Sequence, residues 1–241
     1  MIEHPNEVGS RHVTFPGSQI EGEEAPLLEG RLHVPTDGTL HPGVVLCHAN
    51  PAAGGNMDMA VMQAIEAALA QSGFATLRYN SRGVANSEGA VSRAEGGRLV
   101  APEGTPEKGD VGAALSFLGI QDGVDSSRLC LVGHSFGARI CLAYVSEQKE
   151  DESIRAVVCV GLPVAWRDLS HMGDWPHPKL FITGDHDDFC PPDQLSDFVA
   201  NLPEPSNVVT LKNTGHFFED REHDLAAVVE TFLKQVVKRE T

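Results

Sequence analysis

The sequence is poor in basic residues. Its 241 residues include 18 Lys and Arg against 34 Asp and Glu, a formal net charge of −16 at pH 7. Sequence-independent binding to nucleic acid or to an anionic membrane needs a positive surface, so we expect neither partner. Acidic side chains that keep a protein dispersed are the simplest explanation of the charge.

Targeting and membrane signals are also missing. The opening residues, MIEHPNE, do not join a basic region to an apolar stretch, and no window approaches membrane-spanning length. We therefore expect a cytoplasmic protein. No repeat, low-complexity tract or shift in composition divides the chain, and its length suits one α/β domain. Residues 1–241 are predicted to form that single domain.

Cysteine is scarce and occurs in no CxxC pair. Four of the five cysteines lie in apolar runs and are interpreted as reduced core residues: Cys47, Cys130, Cys141 and Cys159. Cys190 lies instead beside a cluster of aspartates. Without a CxxC pair, we expect no zinc or redox site, and no metal or organic cofactor.

Apolar runs alternate with helical patterns along most of the chain. Strand patterns lie at 11–15, 29–34, 43–48, 74–79, 128–132, 154–160, 179–183 and 207–211. Helical patterns lie at 56–71, 107–118, 138–146, 193–200 and 220–238. This alternation predicts an α/β fold with a mostly parallel sheet of about eight strands and helices on both faces. The first two strands are predicted to form an antiparallel edge.

Two connections break the alternation. Residues 80–106 are rich in glycine and form a long loop, for which a functional role and a plain surface excursion are equally good interpretations. Residues 163–175 form a short insertion, at most a small lid. We expect both segments to supply walls of a substrate pocket.

One pentapeptide carries the strongest chemical signal. GHSFG at 133–137 has the Gly-x-Ser-x-Gly form, with an apolar strand leading into it and a helix leaving it, as a nucleophile elbow requires. Glycines allow the sharp turn that leaves the serine hydroxyl projecting above the sheet. Ser135 is therefore the candidate nucleophile.

A serine nucleophile needs a base to take its proton and a carboxylate to orient that base. His216 directly follows the last strand pattern, downstream of both partners, and is the candidate base. The strand at 179–183 is followed by Asp185, Asp187 and Asp188. Spacing alone does not choose among these three aspartates.

Acyl transfer also needs N–H donors aimed at the developing oxyanion. The backbone N–H of Phe136 is the first candidate. The second is expected in the loop after the strand at 43–48, where Pro51 has no N–H to offer. Asn50 is the preferred second donor and Ala49 the alternative, although the same loop is also typical of a simple turn before a helix.

These residues resemble the α/β-hydrolase superfamily, and more narrowly its small bacterial serine hydrolases related to dienelactone hydrolases, over roughly residues 28–238. The resemblance is carried by CHANPAAGGNMD at 47–58, GFATLRYN at 73–80 with SRGV and SEG after it, the GHSFG elbow, and GHFF at 215–218. It implies an α/β-hydrolase fold with a minimal lid. Its Gly-x-x-Asp pattern followed by proline implies Asp187 as the acid. Ala49 and a long loop at 90–106 depart from the usual pattern.

The expected activity is hydrolysis of a carboxylic ester or thioester of a small molecule through an acyl-enzyme on Ser135. Lactone, carbon–carbon or peptide hydrolysis could use the same three residues, because a fold does not set a substrate. A dehalogenase is disfavoured, since that chemistry uses a carboxylate nucleophile at the elbow. A non-catalytic binding protein of the same fold is the alternative from another class.

Overall fold

The computed structural model describes residues 9–91, 106–166, 169 and 172–238. In these residues eight strands form one sheet: β1 Arg11–Pro16, β2 Leu27–His33, β3 His41–Cys47, β4 Ala75–Tyr79, β5 Val124–His134, β6 Ile154–Val160, β7 Lys179–Gly184 and β8 Ser206–Leu211. Five α-helices accompany them in the same residues: α1 Ala60–Gln71, α2 Pro106–Gly119, α3 Phe136–Glu147, α4 Pro192–Val199 and α5 Glu222–Val237. The predicted α/β class and strand number are confirmed. None of these helices is long and apolar enough to cross a membrane.

The strand order is β1-β2-β4-β3-β5-β6-β7-β8. β2 pairs antiparallel with both β1 and β4, and all other neighbours are parallel. The predicted antiparallel edge is therefore confirmed. Because parallel strands point the same way, the loops that follow β3, β5, β7 and β8 all emerge at one edge of the sheet, where open α/β folds bind ligands.

Both faces of the sheet are covered by helices. Successive side chains of a strand point to opposite faces. In β3, Val44 and Leu46 pack with α1 and α5, whereas Val45 and Cys47 pack with α2 and α3. A strand buried on both faces therefore has a continuous apolar run instead of an alternating one. Cys47, Cys130, Cys141 and Cys159 are buried, which agrees with their interpretation as core residues, and Cys190 is buried as well.

β5 begins four residues earlier than predicted. His41 and Pro42 of β3 pair with Val124 and Asp125, and the register then shifts before Gly43. The polar residues 125–127 have no strand pattern of their own. They join β5 because a distant segment of the chain pairs alongside them.

α1 begins at Ala60, not at residue 56 as predicted. The backbone N–H of Met57 donates to Oδ1 of Asn80 at 2.8 Å, and that of Asp58 donates to Oδ1 of Asn56 at 2.9 Å. These donors are bound by side chains in a turn, so the helix starts only after them.

The described part of the long loop, residues 80–91, is anchored to the core. Asn80 donates to the buried carboxylate of Glu29 at 2.7 Å. Arg82 forms a buried ion pair with Asp110 of α2, with N–O distances of 2.6 and 2.8 Å. The first part of this loop is therefore fixed to the core by hydrogen bonds and an ion pair. Its remaining residues, 92–105, lie outside the described residues.

Candidate active site

Ser135 occupies a sharp turn between β5 and α3. Its backbone has φ 55° and ψ −109°, a conformation that costs a non-glycine residue about 1–3 kcal/mol. The Ser135 N–H donates to the carbonyl oxygen of Val160 in β6 at 2.8 Å. The neighbouring strand thus holds the strained residue at the carboxyl edge of the sheet.

The two glycines of the elbow are required by close backbone contacts. A Cβ added at Gly133 would lie 2.3 Å from the carbonyl group of Gly137. A Cβ added at Gly137 would lie 2.0 Å from the carbonyl oxygen of Cys47, at the end of β3. Only glycine at these positions lets α3 start directly against the sheet, which is what exposes Ser135 at the top of the turn.

The structure brings Ser135, His216 and Asp187 into one hydrogen-bonded series. Nε2 of His216 lies 2.9 Å from Oγ of Ser135, and Nδ1 of His216 lies 2.9 and 3.0 Å from the carboxylate oxygens of Asp187. A carboxylate accepts hydrogen bonds and does not donate them. This arrangement therefore places the imidazole proton on Nδ1 and leaves Nε2 free to accept the proton of the Ser135 hydroxyl.

Asp187 is held by the loop that follows β7. It is 2% exposed, and its Oδ1 accepts hydrogen bonds from the N–H groups of Phe189 and Cys190, each at 2.9 Å. Two fixed donors and one imidazole N–H therefore determine where this carboxylate lies. The Cys190 thiol is not a competing nucleophile, because burial raises its pKa to about 12.

The carboxylate that pairs with His216 is that of Asp187, and the other two aspartates of this loop lie in different surroundings. Oδ1 of Asp185 accepts the N–H of Thr214 at 3.1 Å, a bond that keeps the pKa of Asp185 below its usual value. Asp188 is exposed. Asp185 therefore holds the loop that carries His216, and Asp187 is the aspartate whose carboxylate contacts the imidazole.

His134, the second residue of the elbow, supports the loop that carries His216. Its Nε2 lies 3.0 Å from the carbonyl oxygen of His216, and the two rings are 5.4 Å apart. Since a carbonyl only accepts, Nε2 of His134 carries the proton. Burial lowers the pKa of His134 to about 4, so the ring is neutral near pH 7. Sequence reasoning did not assign it a role, although its place inside the elbow was the available signal.

The loop after β3 holds Asn50 in a turn. Asn50 precedes a short 3₁₀ helix, Pro51–Ala53, and its Oδ1 accepts the N–H of Ala52 at 2.8 Å. The side-chain oxygen is therefore engaged within the turn, and the main-chain N–H of Asn50 is the candidate oxyanion donor. Phe136 is the first residue of α3, where N–H groups lack an acceptor within the helix.

His48 fixes the peptide before Asn50. Its Nε2 accepts the N–H of Ser81 at 3.0 Å, and its Nδ1 lies 2.6 Å from the carbonyl oxygen of Ala49. Burial lowers the pKa of His48 to about 4, which keeps the ring neutral with its proton on Nδ1. The carbonyl of Ala49 is thus turned toward His48, and sequence reasoning missed this residue as well.

A cavity of about 270 Å³ opens beside Ser135 and His216. Both candidate oxyanion donors, Phe136 and Asn50, line it, and so does Ala49. Most of the other lining side chains are small or apolar: Ala53, Met59, Pro163, Phe189 and Phe217. Arg139 is the exception, a buried cation in the same wall.

Over the described residues the expected pocket walls are only partly correct, and residues 92–105 of the loop lie outside them. Pro163 comes from the predicted insertion and lines the cavity, but no residue of the described loop segment 80–91 does. That segment is turned toward Glu29 and α2 by its own hydrogen bonds. Met59, Phe189 and Phe217 line the cavity instead of that segment. The last two could have been predicted as wall residues from their position beside Asp187 and His216.

The family model described as an alpha/beta hydrolase domain matches residues 41–239, and the chain belongs to that family. This membership and the fold place the protein among the hydrolases. Among the described residues, no group of three or more His, Cys, Asp or Glu is arranged to hold a metal ion.

Individual proteins are similar over most of their length. An uncharacterized protein of Rickettsia prowazekii is 26% identical over 211 residues, which cover 86% of this chain and 84% of that protein. A serine hydrolase of Xanthomonas campestris, described as lacking a lid, superposes with a TM-score of 0.75 at 23% identity and covers 94% of each chain. A serine hydrolase homologue of Coxiella burnetii gives a TM-score of 0.74 at 25% identity, covering 92% of this chain and 97% of that one.

Proposed function

We propose that the protein hydrolyses carboxylic esters or thioesters of small molecules through an acyl-enzyme on Ser135. The observation that carries the proposal is the 2.9 Å distance between Nε2 of His216 and Oγ of Ser135, with Asp187 on the other side of the imidazole. A nucleophile and a base within hydrogen-bond distance, with the base oriented by a third group, is the arrangement that activates a serine. Membership of the α/β-hydrolase family supports the same class of reaction.

In the acylation step, Oγ of Ser135 attacks the acyl carbon while Nε2 of His216 takes the hydroxyl proton. The carbonyl bond pair moves to oxygen and gives a tetrahedral oxyanion. When this intermediate collapses, the bond to the leaving oxygen or sulfur breaks, and His216 returns the proton to that atom. Asp187 stabilises the imidazolium that exists between the two transfers.

In the deacylation step, water replaces Ser135 as the nucleophile. His216 takes a proton from the water as its oxygen bonds to the acyl carbon, and then gives the proton to Oγ of Ser135 as the acyl–serine bond breaks. The products are a carboxylic acid and the free serine. Water is the only co-reactant that the two steps consume besides the ester or thioester.

Phe136 and Asn50 are proposed to bind the oxyanion through their main-chain N–H groups. In a trans peptide the C=O and the following N–H point in opposite directions. Because His48 holds the carbonyl of Ala49 on one side, the N–H of Asn50 is directed to the other side, where Asn50 lines the cavity. This supports Asn50 over Ala49 as the second donor.

The cavity supports a small acyl group. Its volume of about 270 Å³ is below the range of roughly 300–1,000 Å³ that holds drug-sized ligands. Phe217, which is 53% exposed, lines the cavity with its ring 5.3 Å from that of His216. We therefore expect short acyl chains to be preferred over long ones.

The test combines a fluorophosphonate probe with a panel of ethyl esters and thioesters of increasing acyl length. The unmodified protein should be labelled once, and the Ser135→Ala variant should lose labelling and at least about a thousandfold in kcat. Ser116→Ala, which removes a hydroxyl from α2, is the matched control and should behave as the unmodified protein. Full hydrolysis by Ser135→Ala would refute the proposal, and failure of the unmodified protein to label would favour a non-catalytic binding protein.

A further inference from the structure

Phe217 presents an exposed aromatic ring beside the candidate base. Among the described residues, four large hydrophobic side chains are strongly exposed: Leu27, Leu40, Ile120 and Phe217. Phe217 is the aromatic one of these four, and it is the one that lines the cavity. Its ring lies 5.3 Å from the ring of His216, at an interplanar angle of 79°. An exposed phenyl ring in a site is apolar surface that a bound ligand can remove from water.

The protein itself covers most of the His216 imidazole. Nδ1 is bound to Asp187. A Cβ added at Gly161, just after β6, would lie 3.1 Å from Cε1 of His216, so the main chain closes that edge. The half-buried ring of Phe189 packs 4.5 Å from the imidazole at an angle of 30°. Phe217 is therefore the neighbour of His216 that keeps the largest open surface.

The alcohol half of an ester lies beside this open surface during the reaction. Nε2 of His216 gives its proton to the leaving atom, which needs a separation of about 2.6–3.2 Å. The carbonyl oxygen points instead toward the N–H groups of Phe136 and Asn50, as proposed above. A group one or two bonds beyond the leaving atom is therefore within reach of the Phe217 ring.

An aromatic group suits this surface better than a saturated or a charged one. Two aromatic rings in an offset or edge-to-face arrangement gain more than the area that they bury, because the edge of one ring is attracted to the face of the other. A charged alcohol would lose water against Phe217, Phe189 and Met59, whose side chains offer no hydrogen bond in return.

We propose that the substrates are esters or thioesters of aromatic alcohols or thiols, with an aryl ring that is joined through one carbon to the leaving atom and packs on Phe217. This proposal rests on the esterase activity proposed above and names the alcohol half of the substrate. Benzyl acetate is the representative substrate: with water it gives acetic acid and benzyl alcohol. The acetyl group is carried by Ser135, and benzyl alcohol leaves with the proton from His216.

The experiment compares benzyl acetate with cyclohexylmethyl acetate, in which the six-membered ring is saturated. Each kcat/KM is divided by the rate constant for hydroxide hydrolysis of the same ester, which removes differences in leaving-group reactivity. The unmodified protein should prefer the benzyl ester by about two- to tenfold, the range expected of one aromatic pair. A site that only buries apolar area would treat the two rings alike or favour the bulkier saturated one, so equal normalised values overturn the proposal.

Variants of Phe217 assign the preference to its ring. Phe217→Leu should lose the preference for the benzyl ester, and Phe217→Tyr, which keeps the ring, should retain it. Ile120→Ala, which truncates an exposed apolar side chain outside the cavity lining, is the control and should change neither the rates nor the preference. An undiminished preference in Phe217→Leu would refute the role of Phe217.

Two further measurements keep the proposal falsifiable if Phe217→Leu does not fold. Benzyl alcohol should inhibit the unmodified protein at about two- to tenfold lower concentration than cyclohexylmethanol, and equal inhibition would contradict the ring contact. Ethyl phenylacetate and ethyl cyclohexylacetate move the same two rings to the acyl half. An aromatic preference in this pair alone would overturn the assignment to the alcohol half and leave the esterase proposal intact. Hydrolysis of no ester at all would refute the esterase proposal, and this one with it.

Discussion

Nε2 of His48 accepts a hydrogen bond from the backbone N–H of Ser81 at 3.0 Å. This bond leaves the imidazole proton on Nδ1, 2.6 Å from the carbonyl oxygen of Ala49. The ring thereby joins the loop after β4 to the loop after β3. The orientation of the Ala49–Asn50 peptide therefore depends on a buried side chain that is not among the residues lining the cavity.

We expect His48→Leu to lower kcat by about ten- to a hundredfold and to change KM by less than about threefold. The reason is that an oxyanion donor acts mainly on the transition state, where loss of one costs about a hundred- to a thousandfold in kcat, and a misaligned donor costs less than a missing one. Steady-state kinetics on the preferred short ester measure both constants.

The matched control is His41→Leu. His41 is also buried, and its ring nitrogens lie 2.8 Å from the carbonyl oxygen of Gly73 and 2.8 Å from Oδ1 of Asp37. It lies at the opposite end of β3, far along the strand from Asn50. It should cost stability and leave kcat unchanged. Equal losses of kcat in the two variants would show a general effect of removing a buried histidine.

The loop after β7 offers a second comparison, between Asp187→Asn and Asp188→Asn. An amide at 187 can donate to Nδ1 of His216 and so favour the tautomer whose Nε2 carries a proton and cannot act as a base. We expect kcat to fall by about a thousandfold or more in Asp187→Asn. Asp188 is exposed, and the carboxylate that pairs with His216 is that of Asp187, so the Asp188 variant should keep kcat within about twofold. Similar rates for both variants would remove Asp187 from its proposed role.

Topology explains why Ser135, Asp187 and His216 could be proposed to meet, although spacing alone left Asp185 and Asp188 open beside Asp187. Ser135, Asp187 and His216 each follow a strand of one parallel sheet, and the carboxyl ends of such strands share an edge. The start of β5 at Val124 was not predictable in this way, because it depends on pairing with His41 in a segment more than 80 residues away. Local patterns contain no information on such a partner.

The walls of the cavity were predicted less well than the proximity of Ser135, Asp187 and His216, which the structure brings within hydrogen-bond distance. Arg139 could have been found, since it lies near the start of the helix that leaves the elbow, four residues after Ser135. The contribution of Met59 depends on the turn at 56–59, whose shape is set by hydrogen bonds to the side chains of Asn56 and Asn80. Side-chain hydrogen bonds between distant loops leave no periodic pattern in a sequence.

The elbow predicts a sharp contrast between two glycine substitutions. A Cβ at Gly137 would lie 2.0 Å from the carbonyl oxygen of Cys47, so Gly137→Ala must push α3 away from β3. We expect a loss of more than about 3 kcal/mol in the free energy of unfolding. At Gly119, the last residue of α2, the nearest atom to an added Cβ is 3.5 Å away, an ordinary contact. Gly119→Ala should be neutral or stabilising. Urea unfolding of both variants at one pH measures this difference in stability. Equal free energies of unfolding would contradict the prediction that only Gly137 lacks room for a Cβ.

The two buried histidines of the site predict an acid-sensitive fold. The pKa values of His48 and His134 are lowered by burial from 6.5 to about 4. Between these values the unfolded chain binds a proton at each histidine and the folded protein does not, so stability is full above pH 6.5 and falls as the pH drops toward 4. Each histidine accounts for about 3 kcal/mol across this window, from 1.36 kcal/mol per pKa unit. Urea unfolding at pH 7.5, 6.5, 5.5 and 4.5 should show the decline.

His134→Phe identifies the source of this decline. It removes one of the histidines whose pKa burial lowers, while His48 and His33 remain, so the loss of stability between pH 6.5 and 4.5 should be smaller than that of the unmodified protein, whatever its stability at pH 7.5. His223→Phe, at an exposed position of α5, should leave the decline unchanged. Glu29 does not affect this comparison. Its pKa is lowered to about 2, so the stability that it contributes is lost only below its usual pKa of 4.5. A decline that is the same in all three proteins would mean that His134 is not the group that takes up the proton on unfolding.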